Sequence, residues 1–166
     1  MADIRDAREA DLGGILAIYN DVVATSTAIY RDTPATLEDR RDWWQQRVAQ
    51  GYPLLVAVDE AGVAGFASFG DFRSWPGYRY TVEHTVHVRG DLRGRGVGTA
   101  LMHPLMDRAA ALGKHVMVGG VDAGNAASLR FHERLGFAPA ARLREVGFKF
   151  DRWLDLVFVQ RILTQR

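Results

Sequence analysis

Apolar residues at Leu12, Ile15, Leu16, Tyr19 and Val23 recur near helical spacing behind Asp11, which predicts a helix through about Ala24. Ile4 to Ala7 reads as a strand before it. Thr36-Leu37-Glu38-Asp39 has the pattern of a capped helix start, and the helix it opens carries Trp43, Trp44 and Val48. The period then changes. Leu54 to Val58 is an unbroken apolar run, turned by Glu60-Ala61-Gly62 into Val63 to Phe69, so the two form a hairpin. Ser74 to Gly77 is a loop, and Tyr80 to Val88 is the next strand. Thr99 to Leu112 is helical in pattern, with Pro104 expected to kink it. His115 to Val121 is a strand, and Asn125 to Leu135 is a helix stopped by Gly136. Ala141 to Val146 and Trp153 to Ile162 close the chain as strands. This order predicts one α/β (α+β) domain over residues 1–166, built around a single mixed sheet.

Composition narrows the partners. A net charge of +1 over 166 residues implies no general attraction to nucleic acid or to an anionic membrane. The charge runs Glu38 to Asp42 and Arg142 to Glu145 mix signs and read as solvated faces. The chain has no cysteine, which excludes a disulfide scaffold, a thiolate metal site and a cysteine nucleophile. No apolar run approaches a membrane span and the first residues lack a signal-peptide core, so a cytoplasmic location is expected. The histidines show no metal-ligand spacing, so no metal is expected.

The densest chemistry lies where the strand ending at Val88 meets the helix after it. Arg93-Gly94-Arg95-Gly96-Val97-Gly98-Thr99 removes Cβ atoms, so that backbone N–H groups can approach a bulky anion, and a helix starting there adds free donors. Three phosphate-binding patterns compete. A P-loop needs a Lys-Ser/Thr pair that Val97-Gly98-Thr99 does not supply. The Rossmann fingerprint is matched only in its first half. Arg93, Gly96 and Gly98 match R/Q-x-x-G-x-G/A, the loop of the GCN5-related N-acetyltransferase superfamily. A second block, Asn125 through Leu135-Gly136-Phe137, resembles that superfamily's later signature, in the expected order and spacing.

The resemblance covers nearly the whole chain. GYPLLVA, GFASFGDFRSWPGYRYTVEHTVHV, KHVMVGGVDAGNAAS and VGFKFDRWLDL are similar to the phosphinothricin and L-methionine sulfoximine N-acetyltransferase family. It implies a mixed central sheet of about seven strands flanked by about four helices. It also implies acetyl-CoA as co-substrate, α-amino groups of small amino-acid analogues as acceptors, and a homodimer. The amine would attack the thioester directly, without a covalent enzyme intermediate. Peptide acetylation and non-catalytic acyl-CoA binding are the competing functions.

Within that frame Arg93 to Thr99 would wrap the cofactor pyrophosphate. Val86, His87 and Val88 would lie along its pantetheine arm through their backbone. Asn125 would be the family's cofactor-contacting asparagine, with a plain N-cap as the competing reading and the two roles compatible. Glu83 is the expected general base. Alternation along Thr81 to Val88 puts it on one face with Thr81, Thr85 and His87, and puts Val82, His84, Val86 and Val88 on the other. The competing reading of Glu83 is a buried carboxylate paired with an arginine. His132 stands where many superfamily members carry a tyrosine, and is a candidate acid or cofactor contact. Arg73, Ser74 and Trp75, with His84, Thr85 and Lys149, are the expected substrate contacts; Tyr30 and Asn20 are weaker ones.

Overall fold

The computed structural model describes residues 2–164. Seven strands form one sheet in the order β1-β2-β3-β4-β5-β7-β6. They are β1 (Asp3–Asp6), β2 (Leu54–Asp59), β3 (Gly62–Asp71), β4 (Thr81–Val88), β5 (Val116–Asp122), β6 (Ala138–Lys149) and β7 (Arg152–Ile162). Four α-helices flank it: α1 (Leu12–Thr25), α2 (Leu37–Gln50), α3 (Val97–Ala111) and α4 (Ala126–Arg134). This is the mixed sheet with four helices that the sequence predicts.

Local chemistry sets the boundaries. At the start of α2 the Asp39 N–H donates to Thr36 Oγ1 (3.1 Å) and the Thr36 N–H to Asp39 Oδ2 (2.8 Å), a reciprocal cap that satisfies two orphan donors. Gly51 ends that helix at φ +70°. α3 runs from Val97 to Ala111 with Pro104 inside it, and the proline leaves the Ala100 carbonyl without its helical donor.

The sheet has a core on each face. Leu12, Ile15 and Ile18 of α1 pack on Leu54, Val56 and Phe66. Leu101, Leu105 and Ala109 of α3, with Leu135 and Phe137 after α4, pack on Leu55, Ala57, Ala67 and Val82. Neighbouring strands pair antiparallel except β4 and β5, which pair parallel over three positions only, Thr81–Val116 to Glu83–Val118. Beyond Glu83 the two strands separate, and that gap positions the site.

The closing strands are longer than their apolar pattern predicts. β6 slips register between Pro139 and Ala141 and again between Leu143 and Gly147, with Glu145 at φ +56°. These bulges break the alternation that would mark the strand's full length. Phe150 and Asp151 take positive φ in the tight turn to β7.

Lys149 at the end of β6 is 1% exposed. Its Nζ donates to the carbonyls of Val23, Ser26 and Ile29 at 2.7, 2.7 and 2.8 Å. The ammonium thereby caps the end of α1 and shapes the segment leading to α2. Burial lowers its pKa. Lys149→Met leaves three carbonyls without a donor in a poorly solvated place, and is expected to cost about 2–4 kcal/mol. That corresponds to a fall of roughly 5–12 °C in thermal midpoint, read by circular dichroism.

Candidate active site

The Arg89 N–H donates to the Ala64 carbonyl of β3, 2.8 Å away. Alternation therefore turns the backbone groups of odd-numbered β4 residues toward β3, and those of His84, Val86 and Val88 toward β5. Since β5 has separated by then, those groups face the gap. A cavity of about 1450 Å³ runs through it, large enough for two ligands side by side. It is walled by β4 from Glu83 to Val88, by the α1–α2 segment, by the glycine loop and by the first turns of α3 and α4.

The glycine loop is open on the cavity side. Gly94 and Gly96 sit at φ +75° and +86°, and a Cβ added at either would meet no atom within 4 Å. Left-handed backbone explains these two glycines, and the empty space beside them leaves room for a bulky anion. Gly96 caps α3, so the helix begins at Val97 rather than Thr99, and its first free N–H donors follow at once. Gly98 has a different reason from the anion approach inferred for it. A Cβ there would lie 3.2 Å from the Phe131 ring, so it lets α3 and α4 meet. Arg93, Gly94, Gly96, Gly98 and Thr99 line the cavity, whereas Arg95 is exposed outside it and Val97 packs on the α3-face core. Asn125 does two jobs: its side chain accepts from the Ser128 N–H (3.1 Å) as N-cap of α4, and it faces the cavity.

Glu83 lies on the α1–α2 face, as the alternation predicts. Its carboxylate borders the cavity beside Gly120. Burial raises its pKa, and Arg73 opposes that rise through space. Among the described residues its carboxylate is in no ion pair, so an arginine-paired structural carboxylate is not what the structure shows. Thr85 and His87 follow on the same face, Thr85 Oγ1 being 3.1 Å from His87 Nε2. The His87 ring packs on Phe66, and burial, reinforced by Arg93 and Arg40, pushes it down to about 4.

His84 and His132 meet on the opposite face, their Nε2 atoms 3.1 Å apart. His132 Nδ1 lies 2.7 Å from the Ser128 carbonyl, which can only accept. The His132 Nδ1 therefore carries the proton, its Nε2 accepts, and His84 Nε2 donates. His84 Nδ1 is then a buried lone pair, and it has no hydrogen-bond partner. Burial, with His132 and His87 adding, pushes His84 down to about 3, and burial lowers His132 too. In this arrangement the neutral His132 ring presents an engaged lone pair at Nε2, and no proton.

The expected substrate loop sits apart. Arg73, Ser74 and Trp75 are exposed and outside the cavity wall, Trp75 at 73% and Arg73 lying over the Phe72 ring. Lys149 is buried below the wall. Asn20 latches the α1–α2 segment by bonding both backbone groups of Ala35, and the Tyr30 hydroxyl reaches the Asp155 carbonyl. The structure adds residues the sequence did not single out. Tyr19, Arg40, Trp43 and Arg47 line the cavity above Glu83, with Thr25 to Ile29 beside them. Positions 40, 43 and 47 share one helical face, a spacing that was legible although Arg40 itself lay in the run Glu38 to Asp42 read as solvated. Among the described residues no cluster of His, Asp or Glu could hold a metal ion, and no helix is long and apolar enough to cross a membrane.

A sheet that splays beside a glycine-capped helix, with a carboxylate at the fork, defines an acetyltransferase of the GCN5-related type. The chain belongs to the Acetyltransferase (GNAT) family, whose profile matches residues 15–137. It is 55% identical over 160 residues to the L-methionine sulfoximine/L-methionine sulfone acetyltransferase of Pseudomonas aeruginosa, covering 96% of this chain and 93% of that one. A Salmonella typhimurium protein solved with its cofactor acetyl-CoA superposes with a TM-score of 0.96 at 45% identity, over 99% and 95% of the two chains. The Sinorhizobium meliloti phosphinothricin acetyltransferase, in complex with the same cofactor, does so with 0.93 at 36%, over 97% and 88%.

Proposed function

We propose that this protein transfers the acetyl group of acetyl-CoA to the α-amino group of small amino acids of the methionine sulfone, methionine sulfoximine and phosphinothricin type. The observation that carries this reading is Glu83: a half-buried carboxylate, outside any ion pair among the described residues, at the fork where the backbone of β4 becomes free. The substrate class is supported by what the relatives act on.

Acetyl-CoA, when bound, supplies an acyl carbon already activated by its thioester. The first-turn amides of α3, with Arg93, hold its pyrophosphate, and the free backbone groups of Val86 and Val88 align its arm as an added strand would. Glu83 accepts a proton from the substrate ammonium, directly or through one water, so that the nitrogen lone pair can form the new N–C bond. The Val86 N–H faces the gap and donates to the carbonyl oxygen as that oxygen gains charge. The C–S bond breaks as the carbonyl re-forms, and the second proton that the nitrogen gives up in becoming an amide passes through solvent to the departing sulfur. His132 and His84 lie on the side where sulfur departs, and with His132 Nε2 engaged as an acceptor their part is to shape that side. Arg73 acts on Glu83 through space. The protein works in the cytoplasm as a homodimer, in keeping with the long exposed face of β6 at the sheet edge.

The test is thiol release from acetyl-CoA over an amine panel. Methionine sulfone, methionine sulfoximine or phosphinothricin is expected to turn over at least about 100-fold more efficiently than a short peptide. A preference for the peptide, or no release with any amine, overturns the proposal.

A further inference from the structure

Arg40 and Arg47 are two cations on the cavity wall without counter-anions. Among the described residues neither is in an ion pair. The Nε atoms of both are buried and have no hydrogen-bond partner. Arg47 Nη1 donates to Gln50 Oε1 at 3.1 Å, and that is a neutral acceptor. Each has a carboxylate nearby that is engaged elsewhere: Asp39 caps α2 and meets Arg31, and Asp71 accepts from the Tyr52 hydroxyl. Burial lowers both guanidinium groups, and Arg31 adds repulsion at Arg40. A chain rarely removes two cations from water without repaying their lost hydration.

The two groups are also held in place. The Arg40 guanidinium carbon lies 4.1 Å from the Tyr19 ring centre and 4.9 Å from that of Trp43, and the Arg47 carbon lies 5.5 Å from Trp43. Trp43 thus fixes both forks. Arg47 lies over Gly70: a Cβ there would fall 2.7 Å from Arg47 Nη2. Gly70 is the register partner of Glu83. Directly opposed residues on one sheet face carry their side chains about 5 Å apart. Arg47 therefore sits one strand across from the carboxylate that receives the ammonium proton, on the same face. β4 ends at Val88, five residues and about 17 Å past the base at strand spacing, and the glycine loop lies beyond that end, so Arg47 is far from the cofactor's phosphates.

We infer that Arg40 and Arg47 form an oxyanion subsite for the amino-acid substrate on the α2 wall of the cavity. The inference rests on the amino-acid reading above. The chemistry recognised is a set of negatively charged or strongly accepting oxygens, supplied by the α-carboxylate or by the side-chain sulfone, sulfoximine or phosphinate group. A planar guanidinium fork suits either.

Arg40→Met, Arg47→Met and their Lys counterparts test it against three acceptors: methionine sulfone, its α-carboxamide and methionine. The Met variants are expected to raise KM for methionine sulfone about tenfold or more. The KM for acetyl-CoA is expected to stay within about twofold, and the thermal midpoint not to fall, because an uncompensated cation has been removed. Wild type discriminates against the carboxamide if the α-carboxylate is bound, and against methionine if the side-chain oxygens are; the variants lose that same discrimination. Should a Met variant fail to fold, the Lys variant reads the same KM through loss of the fork. An unchanged amino-acid KM, or a rise confined to the acetyl-CoA KM, overturns the inference. Absence of turnover by wild type with every amino acid would instead defeat the proposed function.

Discussion

Glu83→Gln is expected to lower kcat by about 100- to 10,000-fold while acetyl-CoA still binds. The amide keeps the shape and polarity of the group but cannot take a proton at neutral pH. The wild-type rate also carries a signature in pH. A free α-ammonium has a reference pKa of roughly 8, so it reaches the site mostly protonated. Glu83 must be ionised to receive that proton. Burial raises its pKa, so the acid limb of kcat/KM lies above the range of an ordinary carboxylate. Arg73 opposes the rise from outside the cavity, and Arg73→Gln is therefore expected to move that limb to higher pH without a matching change in amino-acid KM. Steady-state kinetics from pH 5 to 9 reads both effects. Full kcat in Glu83→Gln across that range would remove Glu83 from the reaction.

Acid is expected to destabilise the fold well before its carboxylates protonate. His84 and His87 have native pKa values of about 3 and about 4, against an ordinary value of 6.5. The folded chain thus binds fewer protons than the unfolded chain between those limits. Stability is full above pH 6.5 and falls as pH drops toward the native values. By pH 5 the penalty is about 2 kcal/mol for His84 alone, and His87 and His132 act in the same direction. Urea unfolding at pH 7.5 and pH 5 reads the difference. His84→Gln is expected to flatten the slope, since it removes one of the groups that titrates only when unfolded. Equal stability at both pH values would mean that the His84–His132 pair is already protonated in the native state.

The fold and the cofactor side were legible because their causes are local. Gly94 and Gly96 are required by the backbone angles of their own positions. Thr36 and Asn125 cap the helices they precede, and the alternation from Thr81 to Val88 puts Glu83 and His84 on opposite faces. The substrate side was less legible because its causes are distant. Arg40 sits in a charge run that reads as a solvated face, and only the packing of α2 over the sheet brings it over Tyr19 and onto the cavity wall. Lys149 reads as a charged residue in a pocket turn; its buried position depends on carbonyls more than a hundred residues earlier in the chain. The bulges of β6 hide the full length of a strand of which only Ala141 to Val146 was legible. The His84–His132 contact joins positions 48 apart, and neither residue's neighbours announce the other.

The approach of Gly98 to Phe131 makes two distant positions one unit of inheritance. A lineage that gained a methyl group at 98 would have to let the ring at 131, or the helix that bears His132, give way by a few tenths of an ångström. Divergence among descendants of this chain should therefore show side chains larger than alanine at 98 only where the residue at 131 has shrunk.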